Sequence, residues 1–136
     1  GLESAQIKEL PKGIIGIRKI DNVQKLAEYY SAADLFINPT WEDTFPTTNL
    51  ESLACGTPVL TYDTGGSREA ISKDTGFVTK KGDIQSVLGI IKKVKKIGKQ
   101  SYSEVCRKRA ISMFRQEDRF KEYISLYKEL LETKHN

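Results

Sequence analysis

Four short runs of β-branched and apolar residues constrain this chain more than any other feature: "GIIGI" (13–17), "DLFIN" (34–38), "PVLTY" (58–62) and "GFVTK" (76–80). Each has the length of a buried strand and the ends expected of one, with Pro39 closing the second run and Pro58 opening the third. Between them the period changes to that of a helix. Asp21 and Asn22 can cap "VQKLAEYYSAA", whose Val23, Leu26, Tyr30 and Ala33 recur at helical spacing. Residues from Pro46 to Cys55 carry Leu50, Leu53 and Ala54 on one face, with Gly56 where a C-terminal cap belongs. "DTGGS" (63–67) reads as a tight loop and "REAIS" (68–72) as a helical turn. Strands alternating with helices predict βαβ units and a mostly parallel sheet covered on both faces, a Rossmann-like αβα arrangement.

From Ile84 onward the pattern is helical, over 84–97, about 101–113 and 117–132, the last with Phe120, Tyr123, Ile124, Tyr127, Leu130 and Leu131 as its stripe. In the helix at 84–97 the lysines of "IKKVKKIGK" oppose Val87, Leu88, Ile91, Val94 and Ile97, so the lysine run reads as a solvated face. No aromatic residues interleave with those lysines, which disfavours nucleic acid; contact with a membrane surface stays open.

With 136 residues and 38% hydrophobic content the chain suits one domain. No apolar run approaches the roughly 18 residues of a membrane-spanning helix. Cys55 and Cys106 form no C-x-x-C pair and the single histidine is His135, which supports neither a disulfide scaffold nor a zinc site. The expectation is a soluble, cytoplasmic protein.

In open parallel sheets, ligands collect at the carboxyl ends of the strands. "RKIDN" (18–22), "PTWEDTFPTT" (39–48) and "DTGGS" (63–67) all fall at such ends. A helix beginning near Pro46 aims its free N–H groups and positive dipole end at that edge, which suits a phosphate. Thr44, Thr47 and Thr48 add hydroxyls, and Gly65 and Gly66 permit close backbone approach. Carboxylates beside a phosphate make sense if they accept bonds from sugar hydroxyls. Glu51 would hold a ribose diol and Asp43 a second sugar, which describes a nucleotide sugar. Other readings stand beside this one. Thr48-x-x-Glu51 matches a capping box that would use up Glu51, unless the helix starts at Pro46. Asp43 is also a natural turn residue. Trp41 and Phe45 suit loop or core anchors, and Arg18 and Lys19 are ordinary exposed cations.

The stretch "YSAADLFINPTWEDTFPTTNLESLACGTPVLTYDTGG" (30–66) closely resembles the donor-binding domain of family 4 retaining glycosyltransferases of the GT-B fold. That family's signature is an acidic residue, a Phe-Gly or Phe-Pro loop, and a Glu eight positions on. The likeness covers roughly 14–78 and implies that Glu51 binds the ribose, that Asp43 contacts the donor sugar, and that amides of Thr44, Phe45, Pro46 and Thr47 meet sugar and diphosphate. It places Arg18, Lys19 and Ile20 in a base-contacting loop. Asp43 departs from the family, which has Glu there, and Glu42 lies one position off register.

The resemblance further implies a UDP- or GDP-sugar donor, no metal, and a polysaccharide or glycolipid acceptor. It also implies a location at the inner face of the membrane, and an acceptor-binding N-terminal domain and diphosphate-binding basic pair upstream of Gly1. On this reading residues 1–136 are a single C-terminal nucleotide-sugar-binding domain, inactive alone. A non-catalytic nucleotide-sugar module and a GT-B epimerase remain alternatives.

Overall fold

The computed structural model describes residues 1–133; His135 lies outside them. In chain order the elements are α1 (Ser4–Lys8), α2 (Val23–Ala32), β1 (Phe36–Asn38), α3 (Thr47–Ala54), β2 (Val59–Tyr62), β3 (Gly76–Thr79), α4 (Ile84–Ile97), α5 (Gln100–Phe114) and α6 (Gln116–Thr133). The three strands form a parallel sheet in the order β1-β2-β3, with Phe36 opposite Val59 and Val59 opposite Gly76. The expected αβα class is what the chain adopts.

The central strand β2 is buried throughout, so its unbroken apolar character has a cause: it is covered on both faces. The core joins Leu53 of α3, Val59 of β2, Val94 of α4, and Tyr102, Cys106 and Ala110 of α5. Local signals set several boundaries. Asn22 Oδ1 accepts the N–H of Lys25 at 2.9 Å and starts α2. Asp83 starts α4 by accepting both the N–H and the hydroxyl of Ser86, at 3.0 and 2.6 Å, and these bonds hold its carboxyl below the usual range. Gly56, at φ 72°, turns the chain after α3 and donates to Leu53 O at 2.9 Å.

Three expectations are corrected. Residues 13–17 are not a strand. A strand exists only as part of a ladder, and this run makes a single backbone bond to another segment, Leu2 N–H to Ile17 O at 3.0 Å, while Ile14 and Ile15 stand exposed. The stripe of α4 is narrower than expected. Val94 is buried and Val87, Ile90 and Ile91 half-buried, but Leu88 and Ile97 face out. The stripe of α6 is uncovered: Phe120, Tyr123, Ile124, Tyr127, Leu130 and Leu131 are all more than half exposed.

Candidate functional site

The carboxyl ends of β1 and β2 are tied together by a buried amide. Asn49, in the first turn of α3, is fully buried; its Oδ1 accepts from Asn38 Nδ2 at 2.9 Å and its Nδ2 donates to Ser67 O at 3.1 Å. Thr61 Oγ1 donates to Asn38 O at 3.1 Å, and Thr64 Oγ1 to Thr40 O at 3.2 Å. These bonds bring the loop after β1 against the loop after β2. The approach is so close that a Cβ on Gly65 would lie 2.0 Å from Asp43 O, and one on Gly66 2.0 Å from Thr44 O. Only glycine fits there, as "DTGGS" suggested, and Gly66 N–H bonds Asp43 O at 3.3 Å.

Between residues 41–44, residues 63–66 and Lys81 lies an open cavity of about 780 Å³. Asp43 serves as a turn residue with one oxygen, Oδ1, which accepts Phe45 N–H at 3.0 Å. Its second oxygen retains acceptor capacity. Asp63 is paired with Arg68 at 3.2 Å. Phe45 is half-buried against Phe114, with ring centroids 6.1 Å apart, and is the loop anchor expected of it. Trp41 is no anchor: its side chain is exposed on the cavity wall.

Pro46 is buried and occupies the N-cap of α3, so helix geometry leaves the Thr47 and Thr48 amides without intrahelical partners. Both threonines, and Thr44, are exposed.

Glu51 is the fifth residue of α3, too deep to cap it, and the capping-box reading falls. Its Oε2 accepts a bond from the Tyr30 hydroxyl at 3.1 Å. Burial, reinforced by the neighbouring Glu51, pushes the Tyr30 phenol far above its ordinary pKa, so it stays a proton donor. Glu51 lines a second, smaller cavity of about 320 Å³ with Leu50, Ala54, Ala110, Ile111, Phe114 and Arg115. Asp43 and Glu51 therefore do not share one cavity. The side chain of Glu51 leaves α3 toward α2 and α5, whereas Asp43 stays in the loop that precedes the helix.

Arg18 and Lys19 are exposed and Ile20 half-buried; Lys19 pairs with Asp21 at 2.7 Å, and none of the three lines either cavity. Among the described residues no group of three or more His, Cys, Asp or Glu side chains is placed to hold a metal ion.

Sequence reasoning passed over Asn49, Tyr30, Asp63 and Lys81. For Asn49 a signal existed: it lies four residues before Leu53 on the same helix face, a polar residue on an apolar stripe. The bond from Tyr30 joins positions 21 apart and had no local signature.

A parallel sheet whose strand ends meet a helix N-terminus and glycine-bearing loops defines an α/β domain of the ligand-binding kind. The family is more specific. The chain matches the model for glycosyl transferases group 1 over residues 3–113, and it belongs to that family. A D-inositol 3-phosphate glycosyltransferase of Geodermatophilus obscurus is 36% identical over 89 residues, covering 60% of this chain and 20% of that protein. The capsular polysaccharide biosynthesis glycosyltransferase CapM of Staphylococcus aureus is 28% identical over 117 residues, 82% of this chain and 30% of that one. Among solved structures, the sucrose-phosphate synthase of Thermosynechococcus elongatus superimposes with a TM-score of 0.74 at 26% identity, covering 81% of this chain and 28% of that one. The chain thus spans less than a third of the length of each of these relatives.

Proposed function

We propose that this chain is the donor-binding part of a glycosyltransferase that moves a sugar, with retention of configuration, from a UDP- or GDP-sugar to a polysaccharide or glycolipid acceptor. The observation that carries the reading is the layout around α3. Its unpaired amides at Thr47 and Thr48 lie in sequence between two carboxylates, and each carboxylate opens on its own cavity. The nucleoside then lies by Glu51, whose Oε1 takes a ribose hydroxyl while Oε2 keeps Tyr30. The diphosphate meets the N-terminus of α3 with the backbone from Thr44 to Thr47, and the donor sugar occupies the larger cavity against Asp43.

In the transfer, the bond between the anomeric carbon and the diphosphate oxygen breaks with its electron pair leaving on the diphosphate, while an acceptor hydroxyl oxygen bonds the anomeric carbon and its proton passes to the departing diphosphate. The α3 amides and dipole stabilise that growing charge, an electrostatic contribution needing no proton movement. Arg18, Lys19 and Ile20 are assigned to the base only through the family likeness, and none of them lines either cavity. The polysaccharide acceptor draws support from CapM, whose name ties it to capsular polysaccharide biosynthesis. The acceptor site is assigned to another part of a longer protein, working at the inner membrane face, so the present residues alone bind nucleotide and transfer nothing.

The test is calorimetric titration of UDP and GDP into the wild type and Glu51→Ala. A loss of about tenfold in affinity, on the scale of one charge-assisted hydrogen bond, supports the ribose role. Equal affinity for both proteins discards it.

A further inference from the structure

Tyr30 is tied to α3 at both of its ends. Its carbonyl oxygen accepts the Thr57 hydroxyl at 2.6 Å. Thr57 is itself fixed to α3, its carbonyl accepting the Ser52 hydroxyl and its N–H donating to Ser52 O, each at 3.0 Å. The Tyr30 hydroxyl reaches the same helix one residue earlier, donating to Glu51 Oε2 at 3.1 Å. Between these attachments the ring stands edge-on to Phe36 of β1, with centroids 5.2 Å apart and planes at 82°. Tyr30 is only 8% exposed, and Ser52 and Thr57 are fully buried. The phenol oxygen is therefore held in one place, beside Glu51.

Packing alone does not call for that oxygen. Phenylalanine would fill the slot against Phe36, and a phenol hydroxyl taken out of water needs a partner to offset its desolvation. What the hydroxyl supplies is direction. A glutamate on a helix surface has several side-chain rotamers, and settling on one is an entropic cost that falls on binding unless it is met beforehand. A fixed donor on Oε2 selects the rotamer in advance, while Oε1 keeps its lone pairs for a second donor.

We propose that Tyr30 is a positioning residue that presets Glu51 for a ribose hydroxyl, and that the pair gives the site a preference for ribonucleotides over deoxyribonucleotides. The proposal rests on the donor-binding reading above and extends it from the residue that meets the ribose to the one that aims it.

The test is a double-mutant cycle read by nucleotide discrimination. Wild type, Tyr30→Phe, Glu51→Ala and the double variant are titrated calorimetrically with UDP, 2′-deoxy-UDP and 3′-deoxy-UDP, and with GDP in the same three forms; melting transitions confirm that each variant folds. Wild type should bind the ribonucleotide about tenfold more tightly than the analogue lacking the hydroxyl that Glu51 accepts. Tyr30→Phe keeps the ring, so it should cut that ratio to about threefold or less by weakening the ribonucleotide and leaving the deoxy analogue where it was. The double variant should bind no worse than Glu51→Ala alone. A purely structural Tyr30 would lower the melting temperature or weaken every nucleotide together, with the ratio intact. That result, or tighter ribonucleotide binding by Tyr30→Phe, overturns the positioning role, and a loss in Glu51→Ala then leaves the donor-binding reading standing. If Glu51→Ala binds all the nucleotides as wild type does, the ribose role and the positioning role fall together.

Discussion

Helices α3 and α6 carry apolar stripes of the same spacing and have opposite fates. In eight residues α3 buries Asn49, Ser52 and Leu53 completely, wedged between the sheet and α5. In eighteen residues α6 buries none. Periodicity says which face of a helix is apolar; it says nothing about whether a surface waits to receive that face. The site belongs to the first region, where every element touching the cavities is tied to the core.

Mutations can break or sharpen this contrast. The largest effect is expected at Leu53→Ala, which empties a fully buried position between α3 and the sheet. Loss of about 2–5 kcal/mol in urea unfolding is expected. Asn49→Ala should come next, at about 1–3 kcal/mol, because Ser67 O and Asn38 Nδ2 lose their partner in a buried setting. The same variant should weaken nucleotide binding, since the two loops are joined through that amide; a variant that unfolds earlier yet binds normally would separate the network from the site.

A third effect is pH-dependent. Burial pushes the Cys106 thiol up to about 11 from an ordinary value near 9. The folded-state value is the raised one, so the stabilisation is complete below pH 9 and is lost as pH rises through 11, where only the unfolded chain would ionise freely at first. Stability measured across that window should fall in the wild type and fall less steeply in Cys106→Ala. The smallest change is expected at Leu130→Ala in α6, within about 0.5 kcal/mol for the 136-residue chain. A cost there comparable to that of Leu53→Ala would mean that α6 is covered in solution and would erase the contrast.

Much of the fold was legible because its causes are local. Asp83 caps α4 with its own neighbour, Gly56 ends α3 in a positive-φ turn, and the runs at 34–38, 58–62 and 76–80 contain the three strands. The run at 13–17 misled because β-branched composition is a property of the segment while a ladder is a property of two, and among the described residues no second strand pairs with it. At the site, the glycines of "DTGGS" and the turn at Asp43 were readable from residue type. The exposure of Trp41 and the Tyr30 bond to Glu51 were not, since each depends on a partner far along the chain.

By itself the sequence determined the alternation of strand and helix, the start of α3 at a proline and the two carboxylates flanking that start, all consequences of backbone chemistry acting over a few residues. Only the tertiary structure decided that Asp43 and Glu51 open on separate cavities, that Lys81 lies over the Trp41 ring and that α6 keeps its stripe bare. The reason is physical: burial and pairing are relations between distant segments, and they come into being only when the chain has closed on itself.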